Sequence, residues 1–281
     1  MTLLQQQSKD LTDDLSKFVS KLRDKVTEKS VHRLRTSVRR METFVSYTKP
    51  KLGKKYEKAL DELRVLRKRA GKVRDLDIQI GLLNSVGNGS AAADRRGLLD
   101  TLKKKRVRQA NRLTSAIKRV EGSSFRDRLE RIGEKAVDGT GSNSQPLQAV
   151  QKELSQLADE FSTRQALKPA RLHELRISLK LLRYRAELAS ESPEQKEVVE
   201  RLKSVQDAIG EWHDWELLAR SAEKQFGDRI NCALLAEIRS LFAAKHSAAV
   251  SAAMSLLATC VPPGKKKPTS VQLARPAVQR A

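Results

Sequence analysis

Val31-His32-Arg33-Leu34-Arg35-Thr36-Ser37-Val38-Arg39 and Leu172-His173-Glu174-Leu175-Arg176-Ile177-Ser178-Leu179-Lys180 are two versions of one segment, [VL]-H-x-L-R-x-S-[VL]-[RK]. A second pair follows in the same order: Gly71-Lys72-Val73-Arg74-Asp75-Leu76 and Gly210-Glu211-Trp212-His213-Asp214-Trp215. Both pairs are displaced by about 140 residues, with a mismatch small enough for one interhelical loop to absorb. Two independent, ordered matches predict an internal repeat. Two similar halves are then expected to face one another across a pseudo-twofold, so that the repeated faces line a shared central surface.

The repeated segment is helical in its periodicity. Stepping about 100° per residue from His32 puts Arg35 near 300°, Arg39 near 340° and Arg40 near 80°, while Val31, Leu34, Val38, Met41 and Val45 gather between roughly 180° and 260°. In the second copy His173, Arg176, Lys180, Arg183 and Tyr184 share one flank, and Leu172, Leu175, Leu179, Leu182 and Ala186 the other. Each helix therefore carries a core face opposite a basic one.

Outward from these segments, period 3.6 continues almost everywhere and period two almost nowhere, so the fold class is all-α. Leu11, Leu15, Phe18, Leu22 and Val26 mark a first helix, and Ser30 is placed to cap a second that runs to about Pro50. Further helices are expected over 52–84, 91–120 and 124–137. They resume over 147–165, 169–190, 194–224 and 228–260, with Pro169 and Pro193 in first turns. Asp138 to Pro146, DGTGSNSQP, has no apolar anchor and reads as a linker. The chain divides accordingly into a first half, 1–137, a linker, 138–146, a second half, 147–260, and a basic disordered tail, 261–281.

Charge narrows the function. Among 281 residues Lys and Arg number 56 against 34 Asp and Glu, a formal +22. Such an excess is self-repulsive and attracts polyanions over a Debye length of about 8 Å at physiological salt. Nucleic acid, polyphosphate and anionic membrane are the candidate partners. Cys232 and Cys260 are the only cysteines, without metal-ligand spacing, which supports neither a disulfide framework nor a zinc site and fits a reducing cytosol. The first residues lack a signal-peptide pattern. The most apolar stretch, Ala248 to Val261, is broken by Ser and Thr and reads as too short to span a bilayer, so no membrane association is expected.

A single histidine, or a single row of arginines, is ordinarily structural or solvated. Recurrence at one register in both halves points instead to a phosphate-binding face, because Arg offers a planar fork to phosphate oxygens and His can donate a hydrogen bond. Arg64, Arg67, Lys68 and Arg74 add a second basic wall on the third helix, with Gly71 suited to close approach of a helix or ligand. Asp75 and Asp214 recur at equivalent places, where an acid can orient a His or Arg side chain. The run Lys103 to Arg108, KKKRVR, contributes to the field rather than forming a site. Trp212 and Trp215 read as core. Neither HExxH spacing nor a nucleophile in a phosphate-cradling loop is present, which ranks phosphohydrolase chemistry behind binding. Nucleic-acid binding ranks between them, since the basic stripe lacks interleaved aromatics.

As an ordered set these residues resemble the conserved histidine α-helical domain, CHAD. His32 to Arg40 and His173 to Tyr184 look like that family's two His-x-x-Arg segments, the second matching a His-x-x-Arg-x-x-x-Lys-x-x-Arg-Tyr form. Arg67 to Asp77, RKRAGKVRDLD, looks like its Leu-Gly-x-x-Arg-Asp-x-Asp stretch, with Ala70 where Leu is common. The resemblance covers about residues 8 to 258. It implies two four-helix bundles related by a pseudo-twofold, a basic groove or pore between them, and non-catalytic binding of inorganic polyphosphate with no cofactor. Carried over by position, His32, Arg35, Arg39, Arg40, Arg67 and Arg74 would contact the anion from one half. His173, Arg176, Lys180 and Arg183 would do so from the other, with Asp75, Asp214 and Tyr184 orienting them. Cytoplasmic location, with association to polyphosphate granules, goes with that reading. One departure stands out: Glu42 occupies the position that the repeat pairs with Arg183.

Overall fold

The computed structural model describes residues 2–48, 53–87, 91–120, 122, 124–137, 146–161, 163, 167–229 and 231–260. The expected linker, apart from the backbone of Pro146, and the expected tail lie outside the described residues. In chain order the helices are α1 (Leu3–Asp24), α2 (Glu28–Thr48), α3 (Lys54–Ser85), α4 (Ala92–Val120), α5 (Phe125–Val137), α6 (Pro146–Glu160), α7 (Pro169–Ala186), α8 (Pro193–Phe226) and α9 (Ala233–Cys260). Among the described residues there is no strand, as the periodicity predicts.

Local chemistry sets the helix ends. Thr2 and Gln5 form a capping box at α1: Thr2 Oγ1 accepts from the Gln5 amide at 3.2 Å, and Gln5 Oε1 accepts from the Thr2 amide at 2.7 Å. The cap of α2 is Thr27, whose Oγ1 accepts from the Ser30 amide at 3.2 Å. The expected cap, Ser30, instead lies buried inside the helix and receives a hydrogen bond from Thr27 at 3.0 Å. Pro169 and Pro193 do stand in first turns, and Ser192 Oγ accepts from the Gln195 amide at 3.0 Å. Helix α7 ends at Ala186, short of 190, where the Gln195 side-chain amide of α8 donates to the Ala186 carbonyl at 3.1 Å. Asn231 adopts the left-handed conformation, φ 69°, and α9 starts at Ala233 rather than 228.

The apolar stripes assemble three cores. The first joins Leu15, Leu34, Met41, Phe44, Leu66, Ile117 and Leu129, from α1 to α5. Gly133 lets α1 and α5 approach closely, since a methyl there would stand 1.9 Å from Ser8 Oγ. The second joins Leu154, Leu175, Leu182, Trp212 and Leu257, from α6 to α9. The first bundle thus has a fifth helix, α5, beyond the four that the resemblance implies. A third core gathers Leu83, Leu98, Leu102, Trp215, Leu218, Phe226 and Ile238. It belongs to both halves: the far ends of the α3–α4 and α8–α9 hairpins pack together there. Trp212 and Trp215 are both core residues, at 0% and 5% exposure, but in different cores.

Helix α9, at 28 residues, is longer than the apolar stretch expected there and has the length and composition to cross a bilayer. In the fold its large side chains Leu234, Leu235 and Ile238 enter the third core, while Leu256 and Leu257 enter the second.

Candidate functional site

With their apolar flanks committed to the cores, α2 and α7 turn basic flanks toward each other, and α3 and α8 complete the walls. Between them lies a cleft of about 570 Å³. Nine of the ten expected anion-binding residues line it: His32, Arg35, Arg39 and Arg40 from α2, Arg67 and Arg74 from α3, and Arg176, Lys180 and Arg183 from α7. Asp214 and Tyr184 line it too.

The tenth does not. His173 stacks on His213 of α8, ring centroids 5.5 Å apart, and is absent from the cleft lining. The basic flank of α7 is broad enough that its edge meets α8 instead of the opening. Burial first, then the neighbouring His213 and Arg176, holds the His173 imidazole below its usual range. His32 is lowered as well, by burial and by Arg74, Arg33 and Arg35.

Most of the arginines are held by carboxylates. Arg35 lies 3.6 Å from Asp75, one of the two acids that recur in the repeat. Burial raises the Asp75 carboxyl, against the pull of Arg35 and His213. Asp214 sits 3.5 Å from His213 Nδ1. Arg74 pairs with Glu28, and Arg40 and Arg183 share Glu187, at 2.9 and 3.4 Å, so that one carboxylate ties α2 to the end of α7. Arg183 also lies over the Tyr184 ring at 4.7 Å. Glu42 collects Arg67 at 2.9 Å, Arg39 at 3.9 Å and Arg64 at 3.9 Å. Sequence reasoning had marked Glu42 only as a departure from symmetry and had not found Glu187 or His213. Glu187 carried no signal, lying outside both repeated segments, whereas His213 adjoins the repeated Asp214.

At the centre the pattern changes. Arg176 and Lys180, one turn apart on α7, have no carboxylate within ion-pair range among the described residues, and Arg176 Nε is buried without a hydrogen-bond partner. Burial lowers the Arg176 guanidinium, and the charges of Arg35 and Arg39 add to the effect against Asp214 and Asp75. Burial, then Arg176, Arg35 and Arg39, brings Lys180 down to about 7. Cations from α2 and α7 are thus held close enough to disfavour one another's charge. Such an arrangement stores positive potential that a multivalent anion can relieve.

A profile of the CHAD domain matches residues 7–223, which include every residue lining the cleft. The chain belongs to the CHAD family. The crystal structure of the CHAD domain from the plant Ricinus communis is similar over 89% of this chain and 89% of that one, with a TM-score of 0.65 at 15% identity. PptA from Streptomyces chartreusis is similar over 92% of this chain and 97% of that one, with a TM-score of 0.59 at 19% identity. At these identities the two structures support the CHAD fold alone. No curated protein matches the sequence.

Gly71, expected to allow close approach, is not sterically required: a methyl there would meet Arg35 Nε at 3.8 Å, an ordinary contact. Among the described residues no three His, Cys, Asp or Glu side chains converge so as to hold a metal ion.

Proposed function

We propose that the cleft binds inorganic polyphosphate and performs no chemistry on it. The observation that carries this reading is the convergence of cations from α2, α3 and α7 on one opening, where among the described residues no carboxylate counter-charge stands within ion-pair range of Arg176 or Lys180. A linear polymer with a charge on each phosphate supplies those counter-charges without needing a shaped pocket, and Arg forks suit its oxygens. Membership of the CHAD family, which is associated with polyphosphate, points the same way. Tyr184 is the aromatic side chain in the cleft lining, and it packs under Arg183, so no ring is presented for stacking on bases. The proposed location is the cytoplasm, at polyphosphate granules.

The test is titration with polyphosphate of defined length beside single-stranded DNA and RNA. Arg35→Gln with Arg176→Gln is expected to weaken polyphosphate binding strongly, and Lys17→Gln with Lys21→Gln, exposed on α1 away from the cleft, only slightly. Equal losses in both pairs would misplace the site. Equal or tighter binding of nucleic acid would replace the ligand, and phosphate release abolished by His32→Ala would make the protein an enzyme.

A further inference from the structure

We propose that a groove on the outer flank of the first bundle, between α3 and α4, is a second binding site for a phosphate polymer, separate from the cleft. The groove encloses about 730 Å³ and is lined by Arg69 of α3 and Arg112 and Arg119 of α4, with the polar side chains of Asn111 and Ser115 between them. Its acidic lining residue, Glu62, lies 3.6 Å from Arg128, whereas Arg69, Arg112 and Arg119 have no carboxylate within ion-pair range among the described residues. The groove therefore holds uncompensated positive charge, while most arginines of the cleft are already paired.

Geometry separates the two sites. Counting about 100° per residue from Arg67, which faces the cleft, puts Arg74 near 340°, but Glu62 and Arg69 near 220° and 200°. The core stripe of Leu63, Leu66, Ala70 and Val73 runs between these flanks. On α4 the cations extend beyond the groove: Lys104, Arg108, Arg112 and Arg119 fall within about 80° of one another over roughly 22 Å of helix. A row of fixed charges of that length matches a linear polyanion better than a single compact phosphate. The groove lining contains no aromatic side chain, so the row can pair with phosphates but cannot stack bases, and an unadorned phosphate polymer fits it better than single-stranded nucleic acid.

The ligand class is that proposed for the cleft; the residues are not. A protein with both sites occupied would join two polymer segments and gather chains together.

Calorimetric titration of the full chain with an oligophosphate short enough to fill one site tests this. The unaltered protein is expected to take up two oligomers. Arg69→Gln, Arg112→Gln and Arg119→Gln combined should take up one, the remaining site keeping its affinity to within about twofold, as distant sites do. The corresponding triple Arg→Lys variant should keep both, and circular dichroism should show all variants equally helical. Arg35→Gln with Arg176→Gln should remove the other site. Saturation of the unaltered protein at one oligomer, or a triple Gln variant that still binds two, would overturn the proposal. If the triple variant loses a site while the cleft pair loses none, the outer groove stands and the reading of the cleft falls. Displacement of the oligophosphate from the groove by single-stranded DNA of matched charge, as efficient as by unlabelled oligophosphate, would overturn the choice of ligand.

Discussion

Arg67 of α3 lies 2.9 Å from Glu42 of α2, whose carboxylate is mostly shielded from solvent and also draws in Arg39 and Arg64. Glu42 damps one wall of the cleft at the position where the sequence repeat puts Arg183 in the other half. Glu42→Gln is expected to release these arginines for ligand. Polyphosphate affinity should rise, and the log-log dependence on salt should steepen by roughly 0.7 for each further phosphate engaged. Because the three guanidinium groups then repel without a counter-charge, thermal denaturation should show a loss of about 1–3 kcal/mol. An unchanged salt slope would mean that Glu42 does not restrain the cleft.

Lys180 gives binding a pH dependence. In the free protein its ammonium is held down to about 7 by burial and by Arg176, Arg35 and Arg39. A bound polyanion restores the charge, so binding takes up a proton, and affinity should increase as pH falls toward 7 from the alkaline side. Lys180→Arg keeps the cation without this titration, and its affinity should be flat across the same range. Identical slopes in the two proteins would exclude Lys180 as the proton acceptor.

The same residue links binding to stability. Above pH 7 the unfolded chain holds a proton on Lys180 that the folded chain gives up, so stability from this group rises with pH between about 7 and the ordinary lysine value of 10.5. Lys180→Met should remove that slope. At neutral pH it should raise stability by about 0.5–2 kcal/mol in denaturant titrations, while weakening binding.

Gly71→Ala should stabilise α3 by about 0.5–1 kcal/mol, because a methyl there makes only ordinary contact with Arg35 and glycine is a poor residue in mid-helix. A loss of stability would show that the methyl disturbs the placement of Arg35 beside Asp75.

Leu98→Ala, in the core shared by both halves, should cost about 2–5 kcal/mol. Calorimetry should still record one cooperative transition, shifted as a whole. Two separated transitions, only one of them shifted, would show that the halves fold independently.

The helices and nine of the ten proposed contact residues were legible because both follow from rotation about a single helix axis. Leu34 and Arg35 are adjacent in sequence and about 100° apart in space, and that alone sorts core from cleft. What lay beyond reach depends on pairing between elements. His173 shares the register of Arg176, yet α8 brings His213 against it, and no periodicity in α7 carries that information. Glu187 lies beyond the repeated segment, so its bridge between Arg40 and Arg183 required the packed helices. Thr27 and Ser30 are both competent caps three residues apart, and only the buried environment of Ser30 chooses between them. The third core likewise joins α3 and α4 to α8 and α9, stretches whose stripes look no different from those feeding the other two.

That third core has a mechanical consequence. Trp215 and Leu218 of α8 interlock with Leu83 of α3 and Leu98 of α4 beyond the end of the cleft, so the two bundles are clamped at their far ends and cannot hinge apart without opening a close-packed interior. The spacing between α2 and α7 is then fixed before any ligand arrives. A flexible polymer meets walls that are already set, and the ordering cost of association falls on the polymer alone.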